Sequence, residues 1–105
     1  MLNLTNSFAA LGNATRFAIV ERLLKEGELA AGELRDVEDI SPPALSRHFK
    51  VLQDAGIISQ RIDKQRRLYS VRPEAVKAIS EWSMSYRQFW DGSFDRLERA
   101  LRGEV

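Results

Sequence analysis

The chain has 105 residues, no cysteine, and a formal net charge of +1 with 30% of its residues charged. The length suits a single domain, and the lack of thiols excludes a disulfide framework or a thiolate metal site, which fits a reducing cytoplasm. No stretch approaches the ~18 uninterrupted apolar residues of a membrane span, and Asn3, Asn6, Asn13 and Arg16 break any signal-peptide pattern, so no membrane association or export is expected.

Leu4, Phe8 and Leu11 fall at helical spacing and predict a short amphipathic helix that Gly12-Asn13 ends. Asn13 is a good N-cap for a second helix. There Phe17, Val20, Leu23 and Leu24 form the predicted inward stripe, Arg16, Glu21, Arg22 and Lys25 point outward, and Gly27 is placed to stop it. A brief third helix is expected over Ala31–Val37, with Leu34 and Val37 inward; Gly32 weakens it by roughly 1 kcal/mol relative to Ala. Ser41 caps a fourth helix over Pro42–Ala55, with Pro42 at the first position, where its missing N–H costs nothing, and Gly56 after its end.

Ile57–Ile62 and Arg67–Val71 read as two strands about the charged turn Asp63-Lys64-Gln65-Arg66. Pro73 opens a last helix expected to reach Arg102, with Gly92-Ser93 as a kink. The expected fold is therefore mainly α with a small β-hairpin, in the order α-α-α-α-β-β-α. A helix-turn-helix lies at about 30–56, a wing at about 57–72 and a C-terminal helix at about 73–102, which is a winged helix-turn-helix.

The charge is uneven along this plan. From Ser41 to Arg72 seven bases meet two acids, a net +5; elsewhere nine bases meet thirteen acids, a net −4. At about 100° per residue, Leu45, Phe49 and Leu52 share one face of the fourth helix. Pro43, Arg47 and Lys50 lie opposite, Ser46 flanks them, and His48 sits at the apolar border. A helix with that outer face fits the major groove of double-stranded DNA: Arg47 can fork onto a guanine, and Ser46 and Lys50 can hold phosphates. Lys64, Gln65, Arg66 and Arg67 suit phosphates or an adjacent minor groove. The competing reading of the same charges is a solvated surface.

Leu11-Gly12-Asn13-Ala14-Thr15-Arg16, the run from Ser41 to Leu52, Asp54-Ala55-Gly56-Ile57-Ile58 and Arg66-Arg67-Leu68-Tyr69 resemble the corresponding segments of ArsR-type repressors, over roughly Phe8 to Val71. The resemblance implies a homodimeric repressor on a palindromic operator. It assigns base and phosphate contacts to Pro42, Pro43, Ser46, Arg47 and Lys50, and the wing to Lys64–Arg67. His48 is either a half-buried helix residue or a DNA-backbone contact. The family's wing tip commonly carries glycine, whereas Lys64 stands there in this chain. Metal sensing is expected to be absent: there is no cysteine, and the only histidine lies in the reading helix. No cofactor is expected, and no catalytic arrangement can be assigned, so an enzyme is not expected.

A helix from Pro73 to Arg102 would be about 45 Å long, more than the winged body can cover. Trp82, Tyr86, Phe89, Trp90, Phe94, Leu97 and Leu101, with Leu4, Phe8 and Leu11, are therefore expected to form a homodimer interface. Trp82, Tyr86, Phe89 and Trp90 could instead line a pocket for an apolar small-molecule inducer. The alternative to DNA binding is a protein-interaction module that has kept the winged helix and lost the nucleic acid.

Overall fold

The computed structural model describes residues 3–37 and 39–103, without the side chains of Asp36 and Val37. The elements run α1 (Leu4–Leu11), α2 (Ala14–Glu26), β1 (Leu29–Ala30), a 3-10 helix (Ala31–Val37), α3 (Pro42–Asp54), β2 (Ile58–Asp63), β3 (Arg66–Val71), α4 (Pro73–Met84) and α5 (Arg87–Leu101). This is a winged helix-turn-helix, with the 3-10 helix and α3 as the helix-turn-helix and β2–β3 as the wing.

Side-chain caps set the starts of α1, α2 and α3. Asn3 accepts from the Asn6 N–H, Asn13 from Arg16 and Ser41 from Ala44, each at 3.1–3.3 Å. After α3, Gly56 takes φ 77°, which lets the Ile57 N–H reach back to the Leu52 carbonyl at 3.0 Å. That six-residue closure turns the chain sharply and drops Ile57 and Ile58 into the core. There they join Ile19, Leu23, Leu34, Leu45, Phe49, Leu52 and Tyr69, with Phe49 and Tyr69 stacked at 4.2 Å.

Four expectations change. The sheet has three antiparallel strands in the order β1-β3-β2, because Leu29 and Ala30 pair with Tyr69 and Leu68; two residues are too few to show a period. The third helix is 3-10 rather than α; its Leu34 is buried as expected, while the Val37 side chain lies outside the described residues.

On α2 the inward stripe is Thr15, Ile19, Val20 and Leu23, leaving Phe17 50% and Leu24 55% exposed. The cause is Arg16. Its Nε donates to the Ala10 carbonyl at 2.6 Å, which turns the Arg16–Ile19–Leu23 face inward and position 17, about 100° further round, to solvent.

Finally, the terminal helix breaks at Ser85–Tyr86 and runs unbroken through Gly92-Ser93. Ser85 Oγ donates to the Trp82 carbonyl at 2.6 Å, and Tyr86 leaves helical geometry at φ −101°, ψ 37°. A hydroxyl competing for a helical carbonyl makes the break without proline or glycine. Beyond it, α5 buries no residue. The radius of gyration is 18.0 Å, against about 13 Å for a compact chain of this length.

Candidate nucleic-acid interface

α3 is fixed from below. Leu45, Phe49 and Leu52 are almost wholly buried, so the helix has one rotational setting, and in it Pro42, Pro43, Ser46, Arg47 and Lys50 are exposed together. His48 is half-buried and meets Arg16, with its Nδ1 3.3 Å from an Arg16 guanidinium nitrogen. Arg16, expected on the outward face of α2, thus joins the end of α1 to α3.

The wing projects beside that face. Asp63 pairs with Arg66 in the β2–β3 register, leaving Lys64 and Gln65 as a two-residue turn. Lys64 takes φ 59° and is the only non-glycine residue with positive φ among those described. An L-residue in that region costs about 1–2 kcal/mol, so the tip holds a cation where glycine would be relaxed. Lys64, Gln65, Arg66 and Arg67 are all exposed. Burial holds the Tyr69 hydroxyl above the ordinary phenol range, with the Arg67 guanidinium and its hydrogen bond acting the other way.

The basic segment is less bare than its sequence implied. Of its seven bases, four have carboxylate partners: Lys50–Asp54 at 3.5 Å, Arg61–Glu28 at 2.7 Å, Arg66–Glu33 at 3.1 Å and Arg72–Glu74 at 3.6 Å. The other three, Arg47, Lys64 and Arg67, have no carboxylate partner among the described residues. Glu28 and Glu33 were not singled out in the sequence. Each lies 33 residues from its arginine: the β1–β3 pairing brings Glu33 to Arg66, and Glu28 reaches Arg61 only through the β1–β3 and β2–β3 pairings together. The fork of Arg61 holds the Glu28 carboxyl below the usual glutamate range and pushes the guanidinium up in turn.

The C-terminal arm collects the remaining expected residues. Phe8, Trp82 and Tyr86 form one run of edge-on rings at 5.4 and 5.8 Å; in a second run Phe89 meets Trp90 edge-on at 5.6 Å and Trp90 stacks on Phe94 at 6.2 Å. All six rings are exposed, as are Leu97 and Leu101, while Leu4 and Leu11 are half-buried. Leu11 also packs on the core of its own chain. Trp82, Ser83, Tyr86, Phe89 and Trp90 line an open apolar cleft of about 300 Å³ at the α4–α5 break. Among the described residues no three His, Cys, Asp or Glu side chains gather as a metal site, and no helix is long and apolar enough to cross a membrane.

Comparison with known proteins agrees with this geometry. Residues 11–61 match a family described as a helix-turn-helix domain. The HTH-type transcriptional regulator Rv2034 of Mycobacterium tuberculosis is 42% identical over 73 residues, covering 70% of this chain and 67% of that protein. The transcriptional repressor SdpR of Bacillus subtilis is 30% identical over 83 residues, covering 79% and 91%. Among solved structures, a crystal structure of an ArsR family transcriptional regulator superposes with a TM-score of 0.76 at 27% identity, covering 84% of this chain and 96% of that one.

Proposed function

The chain belongs to the ArsR family of winged helix-turn-helix, DNA-binding transcriptional regulators, and from that premise we propose that it is a cytoplasmic, non-catalytic homodimeric repressor acting on a palindromic operator. One observation carries the reading-face assignment: Arg47 stands exposed and without a carboxylate partner among the described residues, on a helix whose opposite face is locked into the core. A guanidinium held that way can make the bidentate contact to guanine O6 and N7 that discriminates bases. Pro42, Pro43, Ser46 and Lys50 flank it, and Lys64, Gln65, Arg66 and Arg67 reach the neighbouring backbone or minor groove. His48 serves mainly to hold α3 against Arg16.

The segments divide accordingly: residues 30–56 read, 57–72 clamp and 73–102 dimerise. The exposed stripe of Trp82, Tyr86, Phe89, Trp90, Phe94, Leu97 and Leu101, continued by Leu4, Phe8 and Leu11, packs on a two-fold mate and sets two copies of α3 about one helical turn of DNA apart. Selection of bound fragments from random DNA with purified protein tests this. A two-fold symmetric site with half-sites one turn apart is expected. Recovery of no sequence, with no retarded fragment at low salt, would instead favour a protein-interaction module.

A second reading concerns the aromatic cleft. Its near-absence of polar lining suits an apolar inducer that sets the α4–α5 angle. Saturable quenching of tryptophan fluorescence by a small apolar molecule would support it; a dimer in which the mate fills the cleft would remove it.

A further inference from the structure

Two carboxylates, one just before β1 and one in the 3-10 helix, clasp the wing to the rest of the chain, and they do so differently. Glu28 takes Arg61 of β2 through two hydrogen bonds, 2.7 and 2.8 Å, one to each carboxylate oxygen. Glu33 takes Arg66 of β3 through one, at 3.1 Å, and the same oxygen, Oε1, also accepts the Ala30 N–H at 3.1 Å. The first is a planar fork–fork pair, the geometry that holds an arginine best. The second is a single shared contact between side chains 60% and 49% exposed, where water and salt weaken it.

Glu33 loses little if Arg66 leaves, because the Ala30 N–H still occupies its oxygen. Arg66 has somewhere to go: an open groove of about 520 Å³ lies between Ala30–Glu33 and Gln65–Arg67, and a Cβ added at Gly32 would meet nothing within 4 Å. Asp63, the acid opposite Arg66 in the strand register, makes no ion pair with it among the described residues.

We propose that Glu33 is an intramolecular competitor for DNA phosphate: it holds Arg66 in the free protein and yields it to a backbone phosphate on binding, while Glu28 keeps Arg61 throughout as a fixed strap. The proposal rests on DNA binding through α3 and the wing. It assigns Glu33 to setting how strongly the regulator adheres to DNA of any sequence. A carboxylate at that point lowers adhesion to every DNA by a similar factor and leaves base discrimination to Arg47, so it sets the strength of binding and its salt dependence.

The test is binding of a short labelled DNA duplex of arbitrary sequence, followed by fluorescence anisotropy over about 50–200 mM salt. Glu33→Gln keeps an acceptor for the Ala30 N–H and removes the charge. It is expected to bind about 3–10-fold more tightly at the low-salt end, with a salt slope steeper by about one. In an Arg66→Ala background the same change is expected to give much less. Glu28→Gln, an equal change of charge, is expected to gain less than Glu33→Gln.

No gain from Glu33→Gln, an undiminished gain without Arg66, or an equal gain from Glu28→Gln overturns the proposal, the last two because they reduce it to a general field effect. Wild-type protein that binds no DNA overturns this proposal and the reading beneath it together. Wild type that binds while Glu33→Gln gains nothing overturns this one alone.

Discussion

The reading helix and the C-terminal arm are built from similar side chains put to opposite uses. α3 sinks Leu45, Phe49 and Leu52 into its own chain and shows cations outward. α5 is just as amphipathic in sequence, yet Trp90, Phe94, Leu97 and Leu101 meet no core, and the last is 80% exposed. A helix orients a charged face accurately only when its other face is packed, so the reading helix is finished within one chain. On the proposed reading the arm is half of an interface and a second copy supplies the other half.

The largest expected effect breaks the arm and spares the head, the winged part from α1 to β3. Replacing Phe94 and Leu97 together by Ser removes two side chains worth about 1.5–3 kcal/mol each when buried. The protein is expected to sediment as a monomer at micromolar concentration with an unchanged circular dichroism spectrum; a dimer of wild-type affinity would place the interface elsewhere. Leu52→Ala should do the converse, costing about 2–5 kcal/mol of unfolding free energy, because it empties a fully buried site beneath α3. Denaturant titration measures it, and a loss under about 1 kcal/mol would mean that this core can collapse around the gap.

Arg47→Ala touches only the head's outer face. It is expected to weaken operator binding by about 1–3 kcal/mol and relax base preference, with folding intact. Wild-type selectivity would move the reading contact to another residue. Lys64→Gly should raise stability by about 0.5–1 kcal/mol, the relief of a positive φ less the entropy cost of glycine, while weakening binding to all DNA alike. Equal melting temperatures would show that the turn is unstrained.

The smallest effect concerns the strap. Because Arg61 lowers the Glu28 carboxyl, its contribution to stability is present above the ordinary glutamate pKa and is lost as pH falls through the lowered folded value. Glu28→Gln is expected to lower stability slightly in the neutral region and to match wild type in acid, where the carboxyl is protonated, so that the acid limb of the stability–pH curve is flatter. An identical acid limb would show that the pair adds nothing in solution.

The sequence made the head legible because several local signals agreed there. Ser41 with Pro42 fixed the start of α3, Leu45, Phe49 and Leu52 fixed its rotation, and Gly56 fixed its end. On α2 two stripes had helical spacing. Charge argued for putting Arg16 outside, but its bonds to the Ala10 carbonyl and to His48 are tertiary and turned the other stripe inward. The break at Ser85–Tyr86 carries no breaker residue; it depends on which carbonyl a serine hydroxyl selects, whereas Gly92 is tolerated mid-helix at roughly 1 kcal/mol. The wing's charge was visible as composition, but its partial neutralisation by Glu28 and Glu33 depends on strand register across 33 residues.

The lysine at the hairpin tip leaves that position with few satisfactory neighbours in sequence space. Glycine relaxes the chain and forfeits a cation; arginine keeps the cation and inherits the awkward torsion; a neutral side chain other than asparagine suffers on both counts. Drift there is therefore expected to move between two compromises, firmer folding with a lighter touch on DNA or the reverse, so that the grip of the regulator can be tuned at one codon without disturbing the helix that reads the bases.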